Sequence, residues 1–207
     1  MAGRDDLMAL AARTGDIYQR NAARFDAERA KHLHEAAWLD RMLAVLGPAP
    51  RVLDVGCGAG EPIARAMIAR GARVTGLDIA PAMLALARDR MPEAEWIEGD
   101  MRELALDRDF DAIIGWHSFF HLTADDQRRT LPRLAAHLAP GGALLLTVGP
   151  GAGEEVGRVG DDPIYHASLA PEEYRAILDS QGISIRSFTV EDPTCGGATI
   201  LLAQKNR

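Results

Sequence analysis

From residue 51 onward, short runs of aliphatic residues alternate with longer stretches that are apolar on one side only. The short runs are typical of strands, and the longer stretches are typical of amphipathic helices. The predicted strands are 51–55, 73–77, 95–98, 111–116 and 143–148, and the predicted helices are 63–70, 82–90 and 124–138. Because strand and helix alternate repeatedly, the pattern predicts a parallel α/β sheet.

Further elements flank this alternating core on both sides. Residues 4–46 are predicted to be helical, and Gly47–Pro50 ends the last of these helices. Toward the C-terminus, proline opens a predicted helix at 171–180. Two later runs, 183–190 and 197–203, have the composition of strands and can pair antiparallel at the sheet edge.

The segment Gly149–Pro163 differs from its surroundings, with five glycines, two prolines and no apolar period. Such a composition is typical of a linker or of a mobile lid, and we expect it to be a loop. The length favours one domain over residues 1–207. Within it we expect a helical cap at 1–48, a core at 49–149 and a C-terminal part at 150–207.

Composition and charge narrow the possible partners. The chain has 47% hydrophobic and 26% charged residues, which is ordinary for a soluble globular protein. Its 23 basic and 30 acidic residues give a net charge of −7, which argues against a nucleic-acid partner. No uninterrupted apolar stretch is long enough for a membrane span. Asp5 and Asp6 lie where a signal peptide would be apolar, so no targeting segment is expected. Two cysteines cannot form a disulfide framework, and a reducing cytoplasm is therefore expected.

The most informative motif follows the first predicted strand, where Gly56, Gly58 and Gly60 alternate with other residues before a helix begins. Glycines at this point allow a tight turn and a close approach of a ligand to the backbone. The spacing G-x-G-x-G differs from the dinucleotide fingerprint G-x-G-x-x-G. Glu61 lies where a pyrophosphate would bind, and its charge would repel a phosphate. The motif therefore favours a cationic or zwitterionic ligand.

Two further acidic residues close the next strands. Asp78 ends the second strand and can accept hydrogen bonds from both hydroxyls of a ribose. Asp100 ends the third strand, within reach of an adenine amino group if a ligand lies across the strand ends. Taken singly, each aspartate can also be a simple helix cap.

Five motifs lie in order over residues 51–149: Val52–Gly60, Asp78, Gly99-Asp100-Met101, Phe110–Trp116 and Leu138–Gly142. Together they resemble the class I S-adenosylmethionine-dependent methyltransferases. The resemblance implies an α/β, Rossmann-like, doubly wound sheet of seven mostly parallel strands, with an antiparallel hairpin at the C-terminal edge and helices at the N-terminus. It also implies S-adenosyl-L-methionine (SAM) as cofactor and S-adenosyl-L-homocysteine (SAH) as product, with residues 49–149 as the cofactor-binding core.

Carried over by position, the resemblance implies a set of cofactor-binding residues. Asp54, Gly56 and Gly58 would face the methionine moiety, Asp78 the ribose, and Trp116 the methionine tail. The remaining members of the set would meet the adenine or complete the turn: Cys57, Gly60, Ile79, Met83, Asp100 and Met101. The positive sulfonium and the absence of phosphate agree with the acidic residues described above.

Methyl transfer depends mainly on holding the acceptor in line with the methyl group, and a base is needed only when the acceptor must lose a proton. His117 and His121 follow the fourth core strand, where class I methyltransferases commonly contact the acceptor, and they are the candidate catalytic residues. Either can instead be structural. The pair lacks the glutamate of a zincin motif, so no metal is expected. Tyr18, Arg24 and His166 resemble acceptor-binding residues that close over the site in small-molecule members.

The expected activity is methyl transfer to O, N or C of a small molecule. A non-catalytic SAM-binding module would keep the glycines and Asp78 but would have no organised acceptor pocket. A nicotinamide-dependent oxidoreductase shares the strand, glycine and helix opening, but Glu61 and the glycine spacing count against it. These two alternatives stay open at the level of the sequence.

Overall fold

The computed structural model describes residues 3–207 and contains a sheet of seven strands in the order β3-β2-β1-β4-β5-β9-β8. Its strands are β1 (Arg51–Val55), β2 (Arg73–Asp78), β3 (Glu95–Glu98), β4 (Phe110–Gly115), β5 (Leu138–Val148), β8 (Ile183–Asp192) and β9 (Ala198–Lys205). Strands β1 to β5 are parallel, and β9 pairs antiparallel with both β5 and β8. The predicted Rossmann-like fold with an antiparallel C-terminal edge is confirmed.

Helices cover both faces of the sheet. They are α1 (Arg4–Ala11), α2 (Thr14–Glu28), α3 (Ala36–Leu43), α4 (Ile63–Ala69), α5 (Pro81–Arg90), α6 (Ala124–Ala136) and α7 (Pro171–Ser180). Within β5, Ala143 and Leu145 belong to the core that includes α3, α4 and α5, whereas Leu144 and Leu146 belong to the core that includes α6 and α7. The continuous apolar sequence of this strand follows, because both of its faces are buried.

The N-terminal part contains three helices, α1 to α3. Residues 29–35, between α2 and α3, are not helical. In α3 the apolar stripe is buried through Trp38, Leu39 and Met42, and the Trp38 indole N–H donates to the carboxylate of Asp192 at 2.8 Å. This contact fixes α3 against the far edge of the sheet. No helix within residues 3–207 is long and apolar enough to cross a membrane.

The prediction of a loop at Gly149–Pro163 is wrong, because this segment forms most of a β-hairpin. Strand β6 (Gly153–Val159) pairs antiparallel with β7 (Asp162–Ser168) through a two-residue turn that begins at Gly160, where φ is +58°. The hairpin packs on α1 and α2, and Asp162 accepts hydrogen bonds from Arg20 and Asn21 of α2. Glycine content suggested a loop, but these long-range contacts stabilise strands. Movement of the segment stays a prediction.

Gly76 allows the glycine-rich turn to lie against β2. A Cβ at this position would overlap the ring of Trp96 and lie 2.8 Å from Sγ of Cys57. We expect Gly76→Ala to lower the free energy of unfolding by about 1–3 kcal/mol, because overpacking displaces neighbours. Gly151→Ala is the control, since no atom lies within 4 Å of its added Cβ. Urea denaturation of both variants tests the packing, and equal stabilities would contradict it.

Candidate active site

A cavity of about 550 Å³ opens at the carboxyl edge of the sheet, beneath α1, α2 and the β6–β7 hairpin. We call it the edge cavity. Most of the residues predicted to bind a ligand line it: Tyr18, Asp54, Gly56, Cys57, Gly58, Asp78, Ile79, Met83, Asp100, Met101, Trp116, His117, His121 and His166. The topology therefore brings the glycine turn, the acidic strand ends and the histidines into one space.

Positive φ angles form the turn after β1. The φ values of Gly56, Gly58 and Gly60 are +70°, +53° and +76°, a region that strongly favours glycine. A Cβ on Gly56 would overlap the side chain of Ser118. A Cβ on Gly58 would have only one neighbouring atom, the Met83 sulfur at 4.0 Å. Space for a ligand therefore exists beside Gly58.

Gly60 does not line the edge cavity, which corrects its predicted role. A Cβ at Gly60 would meet Met91 at 2.5 Å and Trp96 at 2.8 Å, so this glycine faces the hydrophobic core. Its backbone N–H donates to the carbonyl of Cys57 at 3.0 Å. Gly60 shapes the turn and does not face a ligand.

Two buried carboxyl groups form one wall of the edge cavity. Asp78 accepts hydrogen bonds from the N–H of Gly58 at 2.8 Å and of Ala80 at 2.9 Å. Asp54 makes no side-chain hydrogen bond within residues 3–207, although only 3% of its surface is exposed. Burial, and then the charge of Asp78, raise the pKa of Asp54 to about 7, while Arg29 opposes the shift. Burial likewise raises the pKa of Asp78.

Arg29 is a cavity residue that the sequence interpretation missed. It directly follows α2, its Nε donates to the backbone carbonyl of Glu61 at 3.1 Å, and it lines the edge cavity. Its charge favours the ionised forms of Asp54 and Tyr18 and disfavours the charged form of His117. No sequence signal marked it, because nothing in 4–46 shows where α2 ends.

The end of the cavity near β3 combines apolar and polar groups. Ile79, 43% exposed, and Met101 line it. Asp100 also lines it, but its carboxylate already accepts from the backbone N–H of Arg102 at 2.8 Å and pairs with the Arg102 guanidinium. Asp100 therefore caps the 3-10 turn at 101–103 while keeping one side toward the cavity.

At the other end, Tyr18 and His121 form a hydrogen-bonded pair. Nδ1 of His121 lies 3.1 Å from the carbonyl oxygen of Tyr165, and Nε2 lies 2.9 Å from Oη of Tyr18. Since a carbonyl only accepts, Nδ1 carries the proton, and Nε2 accepts from the Tyr18 hydroxyl. Burial lowers the pKa of His121 to about 3 and raises the pKa of Tyr18. Both groups are therefore neutral at pH 7.

His117 and His166 complete this end. His117 has a φ of +51°, an uncommon value outside glycine, and its N–H donates to Oγ1 of Thr147 at 2.7 Å. Its side chain faces the open space of the cavity. Desolvation by the surrounding wall, and then the charge of Arg29, lower the pKa of His117 to about 4. Phe120 packs edge-on against His117, His121 and His166. We call this group, with Tyr18, the histidine cluster.

Arg24 does not line the edge cavity, contrary to its predicted role. It lies on the outer face of α2 and pairs with Glu28 at 2.8 Å and with Asp161 in the hairpin turn at 2.9 Å. Its contribution is to join α2 to the hairpin.

In the part of the chain that the structure describes, no group of three or more His, Cys, Asp or Glu residues could hold a metal ion.

Comparisons with known proteins agree with this geometry. Residues 52–142 match the family model described as a methyltransferase domain. The chain is 38% identical over 103 residues to dTDP-4-amino-2,3,4,6-tetradeoxy-D-glucose N,N-dimethyltransferase of Saccharopolyspora spinosa, covering 49% of this chain and 41% of that protein. It is 36% identical over 124 residues to trans-aconitate 2-methyltransferase of Paracidovorax citrulli, covering 59% and 46%. The chain thus spans less than half the length of these curated relatives.

Among solved structures, the SAM-bound amino pentose methyltransferase from Micromonospora echinaspora superimposes with a TM-score of 0.70 and 28% identity, over 90% of this chain and 96% of that one. A sugar N-methyltransferase from a Streptoalloteichus species shares the fold, with a TM-score of 0.69 and 20% identity over 93% and 92%. The family match across the glycine turn and the likeness to a SAM-bound enzyme lead to one conclusion: residues 52–142 resemble a methyltransferase domain, and the chain has the fold of SAM-dependent methyltransferases.

Proposed function

We propose that this chain transfers a methyl group from SAM to a small-molecule acceptor within the edge cavity. One observation carries the proposal: a charged end built from Asp54, Asp78 and Arg29 lies in the same cavity as the neutral histidine cluster. The charged end matches a zwitterionic nucleoside, and the neutral end matches an organic acceptor. The chain's net charge of −7 argues further against a nucleic-acid acceptor.

The residues at the charged end fit SAM chemically. Asp78 retains lone pairs for the two ribose hydroxyls, and Asp54, which has no other partner within residues 3–207, can accept from the α-ammonium group. Arg29 supplies a cation for the carboxylate. The buried Trp116 indole N–H also has no partner within that range, so it can donate to the same amino-acid moiety. Ile79 and Met101 provide apolar contacts for adenine.

When bound, SAM supplies a methyl group on a positively charged sulfur. The chain's own contribution is to hold an acceptor atom beside that group and to exclude water, which can account for much of the rate. Phe120 and Ile164 line the cavity and provide apolar walls for this purpose. His117 has no side-chain hydrogen bond within residues 3–207, so its ring nitrogens can orient the acceptor.

The histidine cluster favours an amine acceptor. A hydroxyl group needs an effective base, but the pKa values of His117 and His121 are lowered to about 4 and about 3. An uncharged amine attacks through its own lone pair, SAH leaves with the sulfur electron pair, and the ammonium product passes its proton to solvent, so the site needs to supply only a hydrogen-bond acceptor. The Tyr18 oxygen, whose proton is donated to His121, provides one. The aminosugar dimethyltransferase of Saccharopolyspora spinosa has an amine substrate by name.

Turnover distinguishes an enzyme from a non-catalytic SAM-binding module. We expect SAH to form when the protein is incubated with SAM and small primary or secondary amines, and not with the matched alcohols; mass spectrometry of both products gives the readout. Turnover of the alcohols alone would contradict the amine assignment. Binding of SAH without turnover of any acceptor would favour the module.

Since Cys57 and Cys195 are both free thiols, we propose the reducing cytoplasm as the location.

Tyr18→Phe tests the role of the phenol in acceptor binding. We expect kcat/KM for the amine to fall roughly tenfold, the effect of one lost hydrogen bond, while SAH affinity stays close to that of the wild type. The control is Tyr165→Phe, because the Tyr165 hydroxyl contacts Glu154 and does not line the edge cavity. Equal effects of the two substitutions on kcat/KM would argue against a role for Tyr18.

The buried Asp54 predicts a pH effect on the ligand-free protein. Its pKa is raised from 3.8 to about 7 in the folded state. As pH rises, the unfolded chain therefore loses the Asp54 proton at a lower pH than the folded chain does. Stability should therefore fall as pH rises between 4 and 7, by up to about 4 kcal/mol from this group. Asp54→Asn should flatten the fall in urea denaturation at pH 5 and pH 8. An unchanged pH dependence would refute the assignment.

A further inference from the structure

Glu35 is a buried carboxyl group behind the edge cavity. It immediately precedes α3, and its side chain is 8% exposed. One oxygen lies 3.7 Å from Nη2 of Arg29, and the other is buried without a hydrogen-bond partner in the part of the chain that the structure describes. Burying a carboxylate whose oxygens are not all hydrogen-bonded is costly. Such a group calls for an explanation beyond stability.

Its ion-pair partner is the cavity arginine. The Nε of Arg29 donates to the carbonyl of Glu61, and Nη2 lies beside Glu35, so both contacts restrict one edge of the guanidinium. The N–H groups on Nη1 are left for a ligand, since no other side-chain hydrogen bond of Arg29 occurs within residues 3–207. Without Glu35, the long side chain would have more rotamers available and would be ordered only on ligand binding.

We propose that Glu35 is a positioning residue that orients Arg29 toward the carboxylate of bound SAM, and this inference rests on the proposed function. Glu35 does not line the edge cavity, so it acts through Arg29 and does not contact the cofactor. It thereby sets the affinity for the amino-acid moiety and leaves recognition of the adenosine moiety unaffected. The connection also makes the non-helical segment 29–35 part of the site.

The test compares two nucleosides that differ in the amino-acid moiety. SAH carries the α-carboxylate, whereas 5′-methylthioadenosine has the same adenosine and no carboxylate. By calorimetry, Arg29→Ala should weaken SAH binding roughly 10- to 100-fold and Glu35→Gln roughly fivefold, with little change for 5′-methylthioadenosine. In the double variant, Glu35→Gln should add nothing to Arg29→Ala, because one residue acts through the other.

Asp40→Asn is the matched control. Asp40 lies on α3 and pairs with Arg70 at 2.9 Å, outside the edge cavity, so its loss should leave both affinities unchanged. Unchanged SAH affinity in Glu35→Gln would overturn the inference, and so would an equal loss of affinity for both nucleosides, which indicates a structural role. If the wild type binds neither nucleoside, the proposed function fails and the inference fails with it.

Discussion

The hydrogen bond from the Gly58 N–H to the Asp78 carboxylate joins the turn after β1 to the end of β2, and the charged end of the edge cavity depends on it. The bond requires the positive φ of Gly58 and places a buried carboxylate beside a second one, Asp54. Two carboxyl groups in a poorly solvated space oppose each other's ionisation. Ligands that carry hydroxyl and ammonium donors therefore gain more here than a phosphate does. The choice of a zwitterionic nucleoside follows from this local electrostatic constraint.

Burial shifts the pKa values of the histidine cluster in the opposite direction, since it lowers them while it raises those of the carboxyl groups. The imidazoles are therefore neutral, so one end of the cavity has carboxyl groups and the other end is uncharged. The charge of Arg29 acts on both parts, since it contributes to the pKa shifts of Asp54 and of His117. Such a gradient suits the proposed pair of reactants, a positively charged methyl donor and an uncharged amine acceptor. Helix α2 contributes Tyr18 and, just beyond its end, Arg29, which makes the N-terminal helices part of the site as well as its cover.

Local sequence was sufficient for the features that depend on local backbone. The glycine spacing located the turn after β1. The position of Asp78 at the end of the second predicted strand placed its side chain near that turn, because parallel strands bring their carboxyl ends to one edge. The β6–β7 hairpin was missed because its strands are stabilised by α1 and α2, more than 100 residues away in the chain. Arg24 and Arg29 show the same limit. They are five residues apart, but only the end of α2 decides that one faces the hairpin turn and the other the cavity. Contacts such as Tyr18 with His121 have no local signature at all.

Binding of a SAM-type nucleoside in the edge cavity through Asp78 can be measured by calorimetric titration of the wild type and Asp78→Ala with SAH and with NAD. We expect one SAH site per chain, no binding of NAD, and a loss of roughly 1.5–3 kcal/mol of SAH affinity in the variant, because charge-assisted hydrogen bonds to the ribose are removed. Binding of NAD by the wild type, or SAH affinity that is the same in both proteins, would contradict this expectation.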